Sequence, residues 1–172
     1  MIIVAVGYGS EVPAHFQQRI RDLSPTPIEQ FPGSGGGVQF MSFWVDQLIP
    51  HIETNYRVDA KERTFLGASI SGLFALSLIF EHPSLFQRCV VSSPSFFWDD
   101  QWLLRREAEF AVQHTSFPLR LFLSIAELEE QDHDFNRFRE ALERRNYEGF
   151  RLQSAVISGE THFSVQPAAF AK

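Results

Sequence analysis

Thr64-Phe65-Leu66-Gly67-Ala68-Ser69-Ile70-Ser71-Gly72-Leu73-Phe74-Ala75-Leu76 is the stretch that decides the fold. It runs from a short strand, Thr64-Phe65-Leu66, through Gly67-Ala68-Ser69 into a helix read from Ser71 to Phe80 and closed by His82-Pro83. A strand that turns sharply into a helix around a serine is nearly the pattern G-x-S-x-G, whose turn is so tight that the neighbours two residues either side must be small. Such a turn holds the serine oxygen clear of the sheet. The helix N-terminus behind it offers a backbone N–H, here that of Ile70, to a developing oxyanion. The last glycine of the pattern is Ser71 in this chain, still small enough for the turn to survive. Ser69 is therefore a candidate nucleophile, set against the plainer reading of a small-residue strand-to-helix turn.

Outward from this stretch, strands and helices alternate. Ile2 to Val6 is a short apolar run, read as a buried strand ended by Gly7-Tyr8-Gly9-Ser10. Residues 11 to 37, with Pro13, Pro25, Pro27 and Pro32 and then Gly33-Ser34-Gly35-Gly36-Gly37, read as a long loop. Met41, Trp44, Val45, Leu48 and Ile52 fall at helical spacing, with a kink expected at Pro50. Beyond the serine, Cys89-Val90-Val91, Leu119 to Leu123 and Leu152 to Ile157 read as strands, and Trp102 to Val112 and the segment around Phe135, Phe138 and Leu142 as helices. This alternation implies an α/β fold with a mostly parallel sheet covered by helices on both faces. At 172 residues it is expected to be a single domain over 1–172.

In such sheets the chemistry lies beyond the carboxyl ends of the strands. The polar residues there are Ser69, Ser93, Glu127 or Glu129, and His162. His162 comes 93 residues after Ser69, just past the last strand, where an imidazole that titrates near neutrality could take the serine proton. An acid lying between them in sequence would fix the imidazole tautomer and stabilise the imidazolium. The loop after Ile125 offers Glu127, Glu129, Glu130, Asp132 and Asp134. Glu129 is the first choice and Glu127 the second, because a G-x-x-D/E pattern with Ala126 as its glycine puts the acid at Glu129.

Several classes drop out on composition. Net charge is −6 with no basic stripe, which speaks against nucleic-acid binding. No run of 18 apolar residues spans a membrane. The start at Met1 lacks the basic region and cleavage site of a signal peptide, so a cytoplasmic protein is expected. The one cysteine, Cys89, sits in an apolar strand and reads as core, and it removes both an internal disulfide and a cysteine-based zinc site. The glycine run lacks the G-K-[ST] ending of a phosphate loop and reads as a flexible loop; the acidic cluster lacks the glycine and spacing of an EF-hand. The 18 Phe point to an aromatic-heavy core or an aromatic-lined pocket.

Four segments resemble a known family: Arg21-Asp22-Leu23-Ser24-Pro25; Leu48-Ile49-Pro50-His51-Ile52 through Tyr56-Arg57-Val58; Phe65 to Leu76 with Ser93-Pro94-Ser95-Phe96-Phe97-Trp98; and Gly159-Glu160-Thr161-His162. They resemble bacterial esterases of the α/β-hydrolase fold related to enterochelin (ferric siderophore) esterases. The resemblance implies a serine hydrolase with Ser69 as nucleophile, His162 as base and no metal or organic cofactor, acting on a small-molecule ester such as a siderophore trilactone. It also implies that Arg21 and Trp98 border the substrate pocket. The family's acid is less uniform, so a Ser69–His162 dyad stands beside the triad with Glu129. Family members carry about three further strands and a helix before residue 2, including the strand beside the serine strand and the loop giving a second oxyanion N–H. On that reading the chain lacks the first three strands of the fold. Either the first strand shifts over to the serine strand, or the protein associates with itself through the incomplete sheet. Two rival readings are a non-catalytic hydrolase-like domain that binds a ligand or partner, and an acyltransferase on the same scaffold.

Overall fold

A computed structural model describes residues 1–9, 12–129 and 131–171; Ser10 and Glu130, named above, lie outside the described residues. The chain divides into two compact units, Met1–Ala60 and Lys61–Lys172.

The first unit is helical, with α1 (Val12–Leu23), α2 (Gly37–Phe43) and α3 (Ile49–Asn55). The long loop expected over 11–37 is corrected here, because α1 takes up its first half. Pro13 falls in the first turn, where a missing N–H has no intrahelical carbonyl to lose, and Ile20 and Leu23 are buried. The glycine run is not free either. Gly36 N–H donates to the Arg21 carbonyl at 2.8 Å and Gly37 N–H to that of Ser24 at 2.9 Å. A Cβ at Gly37 would stand 2.6 Å from the Ser24 carbonyl oxygen, so only bare backbone can dock on the end of α1 this closely. Where a kink is expected at Pro50, a π-helical turn, Trp44–Leu48, joins α2 to α3, and its wider winding absorbs the bond that Pro50 cannot make.

The strand expected over Ile2–Val6 does not form. Ile3 is 80% exposed and no element covers this segment. Apolar, branched residues favour an extended chain, but a strand exists only where a neighbour accepts its backbone hydrogen bonds.

The second unit holds the sheet. β1 (Thr64–Ala68), β2 (Arg88–Ser92), β3 (Arg120–Ala126) and β4 (Arg151–Ile157) are all parallel, in the spatial order β1-β2-β3-β4. Four helices accompany them: α4 (Ile70–Glu81), α5 (Trp102–Gln113), α6 (Asp132–Arg145) and the short α7 (Val165–Phe170). Side chains alternate across a strand, so Val91 and its register partner Leu123 share one face while Ala126 and its partner Ile157 share the other. α4 lies on the first face, with Gly72 close against Val91. Val165 and Ala169 of α7 pack on Ala126 and Ile157 on the second. Helices therefore flank both faces.

Nine of the 18 phenylalanines are buried in the core. Phe80 of α4, Phe110 of α5 and Phe117 form a tight block, with ring centroids 5.2 Å apart for Phe80–Phe110 and 4.8 Å for Phe110–Phe117. Edge-to-face and tilted rings at such distances stabilise a core beyond their area alone. Beside them the buried Glu107 accepts from Arg145 at 3.0 and 3.2 Å and from the Tyr147 hydroxyl at 2.9 Å, which compensates a carboxylate removed from water. Cys89 is core, and burial pushes its thiol pKa up to about 12. No helix among the described residues is long and apolar enough to cross a membrane.

Candidate active site

Each of the four strands ends, at its carboxyl side, near one residue of a hydrogen-bonded group. β1 runs straight into Ser69, the residue before α4, which has φ 56° and ψ −127°. A side-chain-bearing residue is strained there and must be held by its surroundings. Here Ser69 N–H donates to the Ser92 carbonyl at 3.0 Å, and the Ser69 carbonyl accepts from Gly72 and Leu73 at 2.9 and 3.0 Å. The small neighbours have distinct reasons. A Cβ at Gly67 would meet the Ser71 carbonyl oxygen at 2.4 Å, so the elbow cannot close around any larger residue. Ser71, in the position of the pattern's last glycine, fits because its hydroxyl donates back to the Ala68 carbonyl at 2.7 Å. Ile70 contributes the first N–H of α4, which has no carbonyl behind it within the helix.

His162 stands in the turn between β4 and α7. That turn is fixed by Ser164 and Val165 N–H donating to the Thr161 carbonyl at 3.1 and 3.0 Å, and by the burial of Val165 and Ala169. The short α7, absent from the sequence reading, thereby anchors the histidine loop. His162 Nε2 lies 2.9 Å from Ser69 Oγ, and its Nδ1 lies 3.0 Å from Glu129 Oε2. The Glu129 side chain is only 5% exposed, whereas that of His162 is 30% exposed and reachable. The structure thus brings together Ser69, His162 and Glu129, with the acid in the register set by Ala126. A serine hydroxyl, an imidazole and a carboxylate in this sequence of contacts can pass the serine proton to nitrogen while the carboxylate fixes the tautomer.

The second-choice acid points elsewhere. Glu127 Oε2 accepts from Ser158 Oγ at 2.8 Å and from Gly159 N–H at 2.7 Å, tying the loop after β3 to the turn after β4. These bonds, led by the Gly159 N–H, lower its carboxyl pKa from the ordinary 4.5. The lowered pKa in the folded state means that this tie is complete above the unfolded carboxylate pKa and is lost as pH falls through the folded one. Glu127→Gln is expected to change kcat at neutral pH by less than about threefold, since this exposed carboxylate spends its hydrogen bonds on Ser158 and Gly159 and not on the ring of His162. A steady-state comparison with the parent chain checks this.

The residues expected at the pocket's border fare differently. Trp98 is 1% exposed, while its neighbour Phe97 is 44% exposed. Two adjacent aromatics look alike in sequence, and the turn after β2 decides which of them faces inward. Arg21 lies in the first unit, where it pairs with Asp22 at 2.6 and 3.0 Å. Ser93, which the sequence places at a strand end without a task, donates its hydroxyl to Glu129 Oε1. The adjacency of β2 and β3 creates this contact, and no local motif signals it.

Among known proteins, the family described as "Putative esterase" matches residues 1–165. The chain is 31% identical over 185 residues to the ferri-bacillibactin esterase BesA of Bacillus subtilis, a match covering 96% of this chain and 63% of that protein. To the siderophore enterobactin esterase of Emericella nidulans it is 28% identical over 168 residues, covering 84% of this chain and 55% of that protein. The crystal structure of the BES protein from Bacillus cereus superposes with a TM-score of 0.86 at 28% identity, over 96% of this chain and 67% of that one. The fold is therefore α/β-hydrolase-like, and the chain spans between about half and two thirds of the length of these relatives.

Proposed function

From the premise that this chain belongs to the esterase family whose match covers residues 1–165, we propose that it is a serine hydrolase that cleaves carboxylic esters through an acyl-enzyme. The observation that carries this is the continuous contact from Ser69 Oγ to His162 Nε2 at 2.9 Å and from His162 Nδ1 to Glu129 Oε2 at 3.0 Å. In this reading Ser69 Oγ attacks the ester carbonyl carbon as its proton passes to His162 Nε2. The carbonyl oxygen, now an oxyanion, takes a hydrogen bond from Ile70 N–H at the start of α4. The intermediate collapses, the C–O bond breaks, and His162 returns the proton to the departing alkoxide. Water then attacks the Ser69 acyl ester with His162 again as base, releasing the acid and restoring the serine. Glu129 keeps the Nδ1 proton in place throughout and balances the charge of the imidazolium. No step requires a metal or an organic cofactor.

The substrate class proposed is a siderophore trilactone or a comparable bulky aromatic ester, supported by the names of the relatives, which are esterases of ferri-bacillibactin and of siderophore enterobactin. The reading places this activity in the cytoplasm. The test is incubation of the chain with a catecholate trilactone and with a simple aryl ester, with and without an added alcohol. Ring-opened acid from the trilactone, with no ester formed to the added alcohol, supports the hydrolase. Product esterified to the alcohol points to an acyltransferase instead. Absence of any turnover by folded chain favours the non-catalytic reading.

A further inference from the structure

We propose that Ser93 is a positioning residue that aims Glu129 at His162; this rests on the hydrolase reading above. The carboxylate of Glu129 divides its two oxygens between two jobs. Oε2 faces His162 Nδ1 at 3.0 Å. Oε1 accepts the Ser93 hydroxyl and, more distantly, the Ala126 N–H at 3.3 Å. A carboxylate this far out of water must have its lone pairs met, and a hydroxyl donating to it is a strong, charge-assisted partner. With the Ser93 hydroxyl removed, Oε1 keeps, among the described residues, the long contact from Ala126, and the carboxyl group is free to rotate its charge away from the ring.

The backbone shows that this placement is enforced. Ser93 has φ 45°, a conformation in which a side chain is strained. Its N–H donates to the Ser124 carbonyl at 2.8 Å, which clamps it across the β2–β3 boundary. Ser93 itself is only 2% exposed. The clamp turns its Cβ toward the turn after β3, so that the hydroxyl meets the acid and not the imidazole. The sheet thus supplies one residue at the end of each neighbouring strand, in contact order Ser69, His162, Glu129, Ser93. The Ser93 hydroxyl is spent on Oε1 of the carboxylate, which leaves Oε2 to face the imidazolium that forms on His162.

The test uses two variants of the whole chain. Ser93→Ala removes the hydroxyl, and Ser93→Gly removes it while easing the strained backbone, so a fold that depends only on conformation is helped by glycine. The first readout is the rate at which a fluorophosphonate labels Ser69, together with kcat and KM on an aryl ester. Both variants are expected to label roughly 10- to 100-fold more slowly and to lose kcat by the same factor with KM unchanged. In a Glu129→Ala background, Ser93→Gly is expected to change labelling less than about twofold, because the residue it positions is gone. The second readout needs no activity. The downfield proton resonance of the His162–Glu129 hydrogen bond is expected in the parent chain and is expected to vanish or move upfield in Ser93→Gly. A Ser93→Gly chain that labels at the parent rate and keeps the resonance overturns the proposal, as does an equal loss in the Glu129→Ala background. If the parent chain is not labelled at Ser69 at all, the hydrolase reading is what fails, and the resonance alone then decides whether Ser93 holds the acid.

Discussion

Glutamine at position 129 is expected to lower kcat by about 10³- to 10⁴-fold while KM stays within about twofold of the parent value. The Glu129 side chain is 5% exposed, with one oxygen 3.0 Å from His162 Nδ1. A carboxylate there accepts only, so it keeps the proton on Nδ1 and leaves Nε2 free to take the proton of Ser69. The amide of glutamine can instead donate to Nδ1. That traps the tautomer with its proton on Nε2, facing Ser69 Oγ at 2.9 Å, where a base is needed. The shape of the site is almost unchanged, so substrate binding is spared and the loss falls on the chemical step. Steady-state kinetics on an aryl ester separates the two parameters. A fall of tenfold or less would mean that the site runs as a Ser69–His162 dyad.

The second large effect is expected at Ser69. On the proposed mechanism Ser69→Ala removes the atom that forms the acyl bond, and deletion of such a nucleophile costs about 10⁶-fold in kcat. No neighbour can take over. The Ser71 hydroxyl is engaged with the Ala68 carbonyl at 2.7 Å, and that of Ser93 with Glu129. The alanine chain is expected to keep its fold. Comparison of ester hydrolysis and thermal unfolding in parent and variant checks both halves of this expectation.

The elbow was legible because its sterics are local. A strand that must reverse into a helix around a residue at φ 56° tolerates only small neighbours, and that requirement is written as a spacing. The position of Glu129 beside His162 was legible for a related reason: Ala126 and Glu129 sit in one tight turn, with Glu129 N–H donating to the Ala126 carbonyl at 3.3 Å. What escaped the sequence depends on partners far along the chain. Ile2–Val6 has the composition of a strand, yet among the described residues no element forms there. α1 was hidden by prolines and glycines that mark loops in general, but here stand in a first turn and against a helix end. α7 is six residues long, too short to show a period, yet its buried Val165 and Ala169 hold the His162 turn. The contact of Ser93 with Glu129 exists only because β2 and β3 are neighbours in register.

Locating a covalent fluorophosphonate adduct by mass spectrometry of the parent chain tests the central claim most directly. The account predicts a single adduct on the peptide that contains Ser69, formed quickly near neutral pH and suppressed when His162 is replaced by alanine. An adduct on a different serine, or no adduct on chain shown to be folded, would contradict it.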